Sequence, residues 1–242
     1  MLFRSAFRPS HEVLRLAADT GALIEANLDE LAASDLRALT ALTVPHPPVI
    51  AQLARAAIGA VEATPDALDR LLNGSLLDSD LDGRLSQLAP IRERTTARLE
   101  PADRAAVLHA LLDACLSATD GEALPLTHVD PIAPTASALV RERALPVAGR
   151  QRLAVRIAPW WSGRQGPERA RAELETLLAL EPNGSVAAAV HLAIADTYAS
   201  GRATADTEQH LREAGRLLGE HDAVDPAFVE RLRKAAEDAA TD

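Results

Sequence analysis

The chain has 242 residues and a formal net charge of −10. Its 48% hydrophobic content is typical of a globular protein, and its 2% aromatic content and lack of β-branched runs favour helices over sheets. A net-acidic chain is repelled by phosphate backbones, no apolar run is long enough to span a membrane, and the single cysteine excludes an internal disulfide. These features predict a cytoplasmic all-α protein without a secretory signal.

The first part of the chain contains closely spaced helix signals. Apolar residues recur at helical spacing after Ser10, after Gly21 and from residue 50 to residue 61. A longer helix predicted from Pro101 carries its apolar residues on one face, namely Val107, Leu108, Leu111, Leu112 and Cys115. We therefore expect an N-terminal helical domain over residues 1–120.

A change of composition follows this region. Residues 121–137 lack apolar periodicity and contain three prolines, Pro125, Pro131 and Pro134. This pattern predicts a Pro-rich linker between two domains. Beyond it, residues 138–242 predict a second helical domain. Its last amphipathic helix, over residues 225–236, would cap the apolar side of the preceding helices.

An acidic stretch in the first domain suggests a cation site. Oxygen-bearing side chains occupy alternate positions, namely Asp78, Asp80, Asp82 and Ser86. With the turn residue Gly83, this stretch resembles the first half of an EF-hand calcium loop, which makes calcium the one cofactor that the sequence suggests. The twelfth loop position is Ala89, where the family has a bidentate glutamate. The alternative interpretation is an acidic helix start capped by Asp78 or Ser79.

A basic segment over residues 141–171 contains eight arginines and two glutamates. It also holds both tryptophans of the chain, Trp160 and Trp161. Stacking and ion pairing would suit an anionic partner such as nucleic acid or an acidic peptide, and the tryptophans would also suit a protein interface. We select Arg152, Arg156 and Arg164 as candidate partner-binding residues. The alternative is that the chain's own acidic helices neutralise the arginines, and the net negative charge favours this alternative over nucleic-acid binding.

Residues 166–219 carry a pattern of small and large apolar residues. A helix from Gly166 places one set at regular offsets: Ala170, Leu174, Leu177, Leu178, Leu180 and Pro182. The next helix has Ile194, Ala195 and Tyr198 and ends at Gly201, and a further helix has Thr207, Leu211 and Ala214. This pattern resembles tetratricopeptide repeats, in which two antiparallel helices pair over about 34 residues. The resemblance implies a helical-hairpin array that binds another protein or peptide, and we include Tyr198 among the candidate partner-binding residues.

Motifs for catalysis are sparse in this sequence. Phosphate-binding loops, nucleophile elbows and zinc-protease motifs do not occur. His109 and Asp113 are one helical turn apart, and His128 and Asp130 lie in the predicted linker, without the further ligands that a zinc site needs. The sequence therefore favours a non-catalytic interaction or adaptor module over an enzyme.

Two alternatives stay open. The first is a helical enzyme or small-ligand-binding domain with its site between the N-terminal helices and the linker; a pocket that holds several of His109, Asp113, His128 and Asp130 would favour it. The second is a regulator that binds nucleic acid through the basic segment. His191 and His210 are expected at ordinary surface or groove positions of the repeat-like helices.

Overall fold

We describe the protein from a computed structural model. The structure describes residues 21–120, 125–199, 204–219 and Lys234. Over these residues the chain forms a bundle and array of helices with one short β-hairpin, which confirms the predicted all-α class. The predicted helix after Ser10, the helix end at Gly201 and, apart from Lys234, the predicted capping helix over residues 225–236 lie outside the described residues.

The elements are numbered in chain order. Their bounds are α1 (21–29), α2 (Ala33–Ala41), α3 (Ala51–Ala60), α4 (Ala67–Asn73), β1 (Asp78–Ser79), β2 (Leu85–Ser86), α5 (Ala89–Ala97), α6 (Pro101–Ala118), α7 (Leu126–Val129), α8 (Ala133–Arg141), α9 (Val147–Gln165), α10 (Pro167–Leu178), α11 (Ser185–Ala199) and α12 (Thr204–Gly219).

Proline marks the start of several helices. It occupies the first turn of α5, α6, α8 and α10. The missing N–H is tolerated there because the first N–H groups of a helix have no partner within it. In α6 the buried residues are those predicted from the sequence: Val107, Leu108, Leu111, Leu112 and Cys115.

One apolar core runs through both predicted domains. Buried residues of α2, α3, α6, α8 and α9 belong to it, including Leu39, Leu53, Leu111, Leu139 and Ile157. Helices α6 and α9 approach closely, since a β-carbon at Gly149 would lie 2.8 Å from Leu112 Cδ2. Within the described part of residues 121–137, Val129 of α7, Ile132 between the helices and Ala136 of α8 contribute to this core. The division into two domains stays a prediction.

Helices α9 to α12 pack against one another in chain order. Gln151 near the start of α9 donates from Nε2 to the carbonyl oxygens of Leu177 (3.2 Å) and Glu181 (2.9 Å), at the end of α10 and just beyond it. The start of α9 therefore lies beside the end of α10, and the two helices are antiparallel. Gly166 makes the single-residue connection between them at φ +93°, a left-handed conformation that favours glycine.

Helix α11 is buried on two faces. Val190 and Ile194 belong to the main core. Ala188, Leu192 and Ala195 belong to a second apolar cluster, which α12 completes with Leu211, Ala214, Leu217 and Leu218. α11 thus forms a layer between the main core and α12. Among the described residues, no helix has the length and apolar content needed to cross a membrane.

The core position of Leu177 provides a test of the array's packing. Its side chain is 2% exposed in α10, as the sequence predicts. We expect Leu177→Ala to lower the free energy of unfolding by about 2–5 kcal/mol, because the truncation loses buried apolar contacts and leaves a cavity. Urea unfolding followed by circular dichroism measures this change. The matched control is Leu180→Ala, since Leu180 is 56% exposed and its truncation should be nearly neutral. Equal effects of the two substitutions would contradict this packing.

Candidate functional site

Four of the eight arginines of the basic segment pair with carboxylates that the structure describes, three of them in other parts of the chain. Arg141 in α8 pairs with Glu173 in α10 at 2.6 Å. Arg156 in α9 pairs with Asp120 at 3.0 Å. Arg169 also pairs with Glu173, at 2.8 Å. These exposed pairs add little stability individually, but they neutralise charge that the sequence alone presents as a free basic patch.

Two other arginines of this segment also have partners within the chain. The buried Arg150 donates from Nε to the carbonyl oxygen of Val140 at 2.7 Å. Arg164 makes a two-pronged contact with Asp130, at 3.1 Å from Nε and 2.6 Å from Nη2. Arg152, a candidate partner-binding residue, is exposed on α9. The pairing of the segment supports the interpretation that the chain neutralises its own arginines.

The two tryptophans have different surroundings. Trp161 is fully buried and donates from Nε1 to Ser137 Oγ at 3.0 Å, so it belongs to the core and not to a partner surface. Trp160 is half-buried and donates from Nε1 to Asp130 Oδ1 at 2.7 Å. The Arg164 guanidinium and then the Trp160 N–H hold the pKa of Asp130 below its ordinary range. Asp130, which directly follows α7, therefore connects this part of the chain to α9 through its contacts with Trp160 and Arg164.

The acidic stretch forms a β-hairpin, so the predicted helix start is wrong. β1 and β2 pair antiparallel, with Asp78 opposite Ser86. One carboxylate oxygen of Asp80 accepts the backbone N–H groups of Asp82 (3.0 Å) and Arg84 (2.8 Å), and Gly83 supplies the left-handed conformation at φ +71°. Among the described residues, no three His, Cys, Asp or Glu side chains are grouped so that they could hold a metal ion. Calcium binding stays a prediction. In the structure, the Asp80 carboxylate stabilises the turn by accepting backbone hydrogen bonds.

The remaining chemical candidates of the sequence are exposed histidine and aspartate side chains and one buried thiol. His109 and Asp113 are exposed on α6, and His128 is exposed on α7. Cys115 is fully buried, and this burial raises the pKa of its thiol to about 12. A thiol of this kind stays protonated near neutral pH and is a poor nucleophile.

A cluster that the sequence did not predict connects the last three described helices. The Arg171 guanidinium of α10 lies 3.7 Å from the centre of the Tyr198 ring of α11. On α12, the His210 ring stacks with Tyr198 at a centroid distance of 5.8 Å. His210 also contacts His191 of α11, with 2.8 Å between the two Nδ1 atoms. We call these four residues the aromatic–histidine stack.

Every member of the aromatic–histidine stack is partly exposed. Burial lowers the pKa of His191 from its ordinary value of 6.5, and charge on His210 lowers it further, against the opposing effect of Glu213. Burial also lowers the pKa of His210, against the effects of Glu175 and Asp206. Both imidazoles are therefore neutral near pH 7, and a neutral pair can share one hydrogen between its two Nδ1 atoms.

The sequence contains part of the signal for this cluster. His191 and Tyr198 are seven residues apart on α11 and therefore share a helix face. The repeat pattern indicates Tyr198 as a partner-binding residue, whereas Arg171 contributes to the sequence pattern only as one arginine of the basic segment. The contacts of both residues with other helices depend on the packing of the array, which the spacing within one helix does not reveal.

A cleft lies between the loop after α2, the helices α5 and α6, and α8. This interhelical cleft has a volume of about 290 Å³. Its lining combines apolar and hydroxyl side chains with one ion pair, Arg104–Glu142. The lining residues are Thr43, Val44, Thr96, Leu99, Arg104, Leu108, Thr135, Ala138, Leu139 and Glu142. His109, Asp113, His128 and Asp130 are not among them, so the groups expected to mark an enzyme pocket lie elsewhere.

Comparison with known proteins adds no assignment. No protein-family model matches the chain, and neither a curated protein nor a solved structure matches it significantly. Inferences about function therefore rest on the geometry described above.

The hairpin geometry predicts different roles for two neighbouring aspartates. We expect Asp80→Ala to lower the melting temperature, because the hairpin loses the acceptor of two backbone N–H groups. The control Asp82→Ala removes an exposed carboxylate from the same turn and should change the melting temperature little. Thermal unfolding with and without millimolar calcium measures both effects. A rise in melting temperature with calcium, abolished by Asp82→Ala, would instead establish a calcium site.

Proposed function

We propose that this protein is a non-catalytic module that binds another protein or peptide through helices α9 to α12. In this proposal the helices form two successive hairpins similar to tetratricopeptide repeats. The aromatic–histidine stack is the centre of the binding surface. The observation that carries the proposal is the stacking of Arg171, Tyr198 and His210 across three helices with all three side chains partly exposed.

The packing of the small and large apolar residues supports the repeat-like arrangement. Ala170 and Leu174 of α10 are fully buried, as are Ile194 and Ala195 of α11. In α12, Thr207, Leu211 and Ala214 are buried too. These are the residues that the repeat pattern assigns to packing between neighbouring helices.

The side chains of the stack are of the types that contribute most to protein interfaces. Arginine and tyrosine are enriched among residues whose truncation weakens binding strongly. Arg171 and Tyr198 are already ordered against each other and against His210. These side chains therefore lose less conformational entropy when a partner binds. With one buried cysteine and no lysine other than Lys234, the chain has few groups for covalent catalysis, and we expect it to act in the cytoplasm.

Nucleic acid is a weaker candidate for the partner. A nucleic-acid surface needs exposed cations that can replace counterions along the phosphate backbone. Here Arg141, Arg156 and Arg164 pair with carboxylates of the chain itself. The overall charge of −10 also opposes association with a polyanion.

A second candidate function is the binding of a small ligand in the interhelical cleft. The sequence alternative has a ligand site between the N-terminal helices and the linker 121–137, and one residue of that linker, Thr135, lines the cleft. A volume of about 290 Å³ suits a compact metabolite rather than a polymer. Its hydroxyl groups and the Arg104–Glu142 pair offer both donors and acceptors to a polar ligand.

The interaction proposal predicts that Arg171 contributes to partner binding. We expect Arg171→Ala to weaken the association at least about tenfold, because it removes the cation that covers Tyr198. Affinity capture from the native host identifies a partner, and its dissociation constant is then measured with the purified proteins. The matched control is Arg212→Ala, which removes an exposed arginine of α12 whose Nε contacts the carbonyl oxygen of Glu208 in its own helix. Equal binding by wild type and Arg171→Ala would refute the assignment of this surface.

The cleft proposal predicts a ligand whose effect depends on Ala138. A small molecule that binds the cleft should raise the melting temperature of the wild type by mass action. We expect Ala138→Trp to abolish this rise, because the larger side chain would fill the cleft. The control Ala172→Trp places the same side chain on the exposed surface of α10. A ligand that stabilises both variants equally would bind elsewhere, and the cleft would lose its proposed role.

A further inference from the structure

The contact between His191 and His210 joins α11 to α12 beside the second apolar cluster. The two Nδ1 atoms are 2.8 Å apart, and the ring centroids are 5.1 Å apart with the planes tilted by 43°. His210 also stacks on Tyr198, so the same ring belongs to the contact and to the proposed binding surface. A change in this contact would therefore change that surface.

The number of protons on the two rings decides whether this contact can form. Two nitrogens 2.8 Å apart can hold one hydrogen between them, with one Nδ1 as donor and the other as acceptor. This arrangement is available when both rings are neutral, and also when only one is an imidazolium. When both rings are protonated, each Nδ1 carries a hydrogen. Two N–H groups and two positive charges then face each other, and the contact is lost.

Among the described residues, the charged groups that act on the pair belong to α10 and α12. Glu213 and Arg216 of α12 act on His191 with opposite signs. Glu175 and Arg171 of α10, together with Asp206 of α12, act on His210. Tyr198 covers one side of the His210 ring. The carboxylates favour protonation, but burial outweighs them at both rings and keeps each pKa below 6.5.

These shifts give the pH dependence a defined sign. Because the pKa of each packed imidazole is lowered, separated rings take up protons first as the pH falls below 6.5. The closed arrangement has its full stability above that pH. As the pH falls from 6.5 to the lower pKa values of the packed rings, the closed arrangement becomes less stable relative to the open one. Below those pKa values its relative stability no longer changes.

We propose that the His191–His210 contact is a proton-controlled latch that holds the middle of α12 against α11 near neutral pH and releases it in acid. Release separates His210 from Tyr198 and so dismantles the aromatic–histidine stack. The regulatory meaning of the latch rests on the proposed function, because it is the partner surface that would be switched. The latch itself is a property of the full-length chain without a partner.

Hydrogen exchange of the full-length protein tests the latch directly. We expect the opening equilibrium of α12, corrected for intrinsic exchange rates, to rise between pH 7.5 and pH 5.0 by up to about tenfold per pH unit for each proton taken up. Peptides from α6 should show no comparable rise. Tyr198 is the only tyrosine of the chain, so protein labelled with 3-fluorotyrosine gives one fluorine resonance, which should shift over the same pH range.

The variant His191→Asn provides the critical comparison. Its amide oxygen can accept a hydrogen bond from His210 whether His210 is neutral or charged, and only His210 can still take up a proton. Between pH 7.5 and pH 5.0, α12 should therefore lose less protection in this variant than in the wild type. The matched control His109→Asn replaces an exposed histidine of α6 and should keep the wild-type pH dependence. Equal protection of wild-type α12 at both pH values would overturn the proposal. The same pH dependence in His191→Asn and wild type would also overturn it.

The latch and the proposed function fail in different experiments. The exchange measurement needs no partner, and the partner measurement with Arg171→Ala is made at pH 7.5, where the latch is closed. A pH-dependent α12 with no effect of Arg171→Ala on binding would retain the latch and remove the binding surface. The reverse result would retain the binding surface and remove the latch.

Discussion

The burial of α11 on two faces is the constraint on which the C-terminal array depends. A helix that is apolar nearly all round has to be covered on both sides, and the main core and α12 provide that cover. His191 and Tyr198 interrupt this apolar surface on one shared face. At that face α10 brings Arg171 and α12 brings His210 into contact with them. The packing that buries α11 thus also assembles the aromatic–histidine stack.

Elements with strong internal periodicity could be predicted from the sequence, whereas the hairpin could not. The apolar face of α6 and the buried positions Leu174 and Leu177 of α10 follow from helical spacing alone. β2 depends on a distant partner, because the N–H and carbonyl groups of Leu85 exchange hydrogen bonds with those of Val49 at 2.7 and 2.8 Å. A pairing over that sequence separation leaves no local pattern, so the acidic residues between the strands were interpreted as a loop or a helix start.

The candidate site was predicted only in part, for a related reason. Tyr198 was selected because it occupies the aromatic position of a repeat-like helix, but its contacts come from α10 and α12. The sequence predicts one shared role for the adjacent Trp160 and Trp161, but adjacent residues of a helix point about 100° apart. One therefore enters the core, and the other stays at the surface beside Asp130. The number of arginines in the basic segment can be read from the sequence, but their pairing with Asp120, Asp130 and Glu173 depends on the fold.

The alanines of α11 have a consequence for the distance between helix axes. Ala187, Ala188 and Ala195 face α12, and Ala214 faces back from it. Packed helices lie about 8–10 Å apart axis to axis, and small contact residues favour the lower end of that range. A narrow separation lets two short imidazole side chains meet directly, without a bridging water. Larger residues at these alanine positions would widen the gap and alter the curvature of the array. The spacing set by methyl groups therefore determines which polar side chains can meet across it.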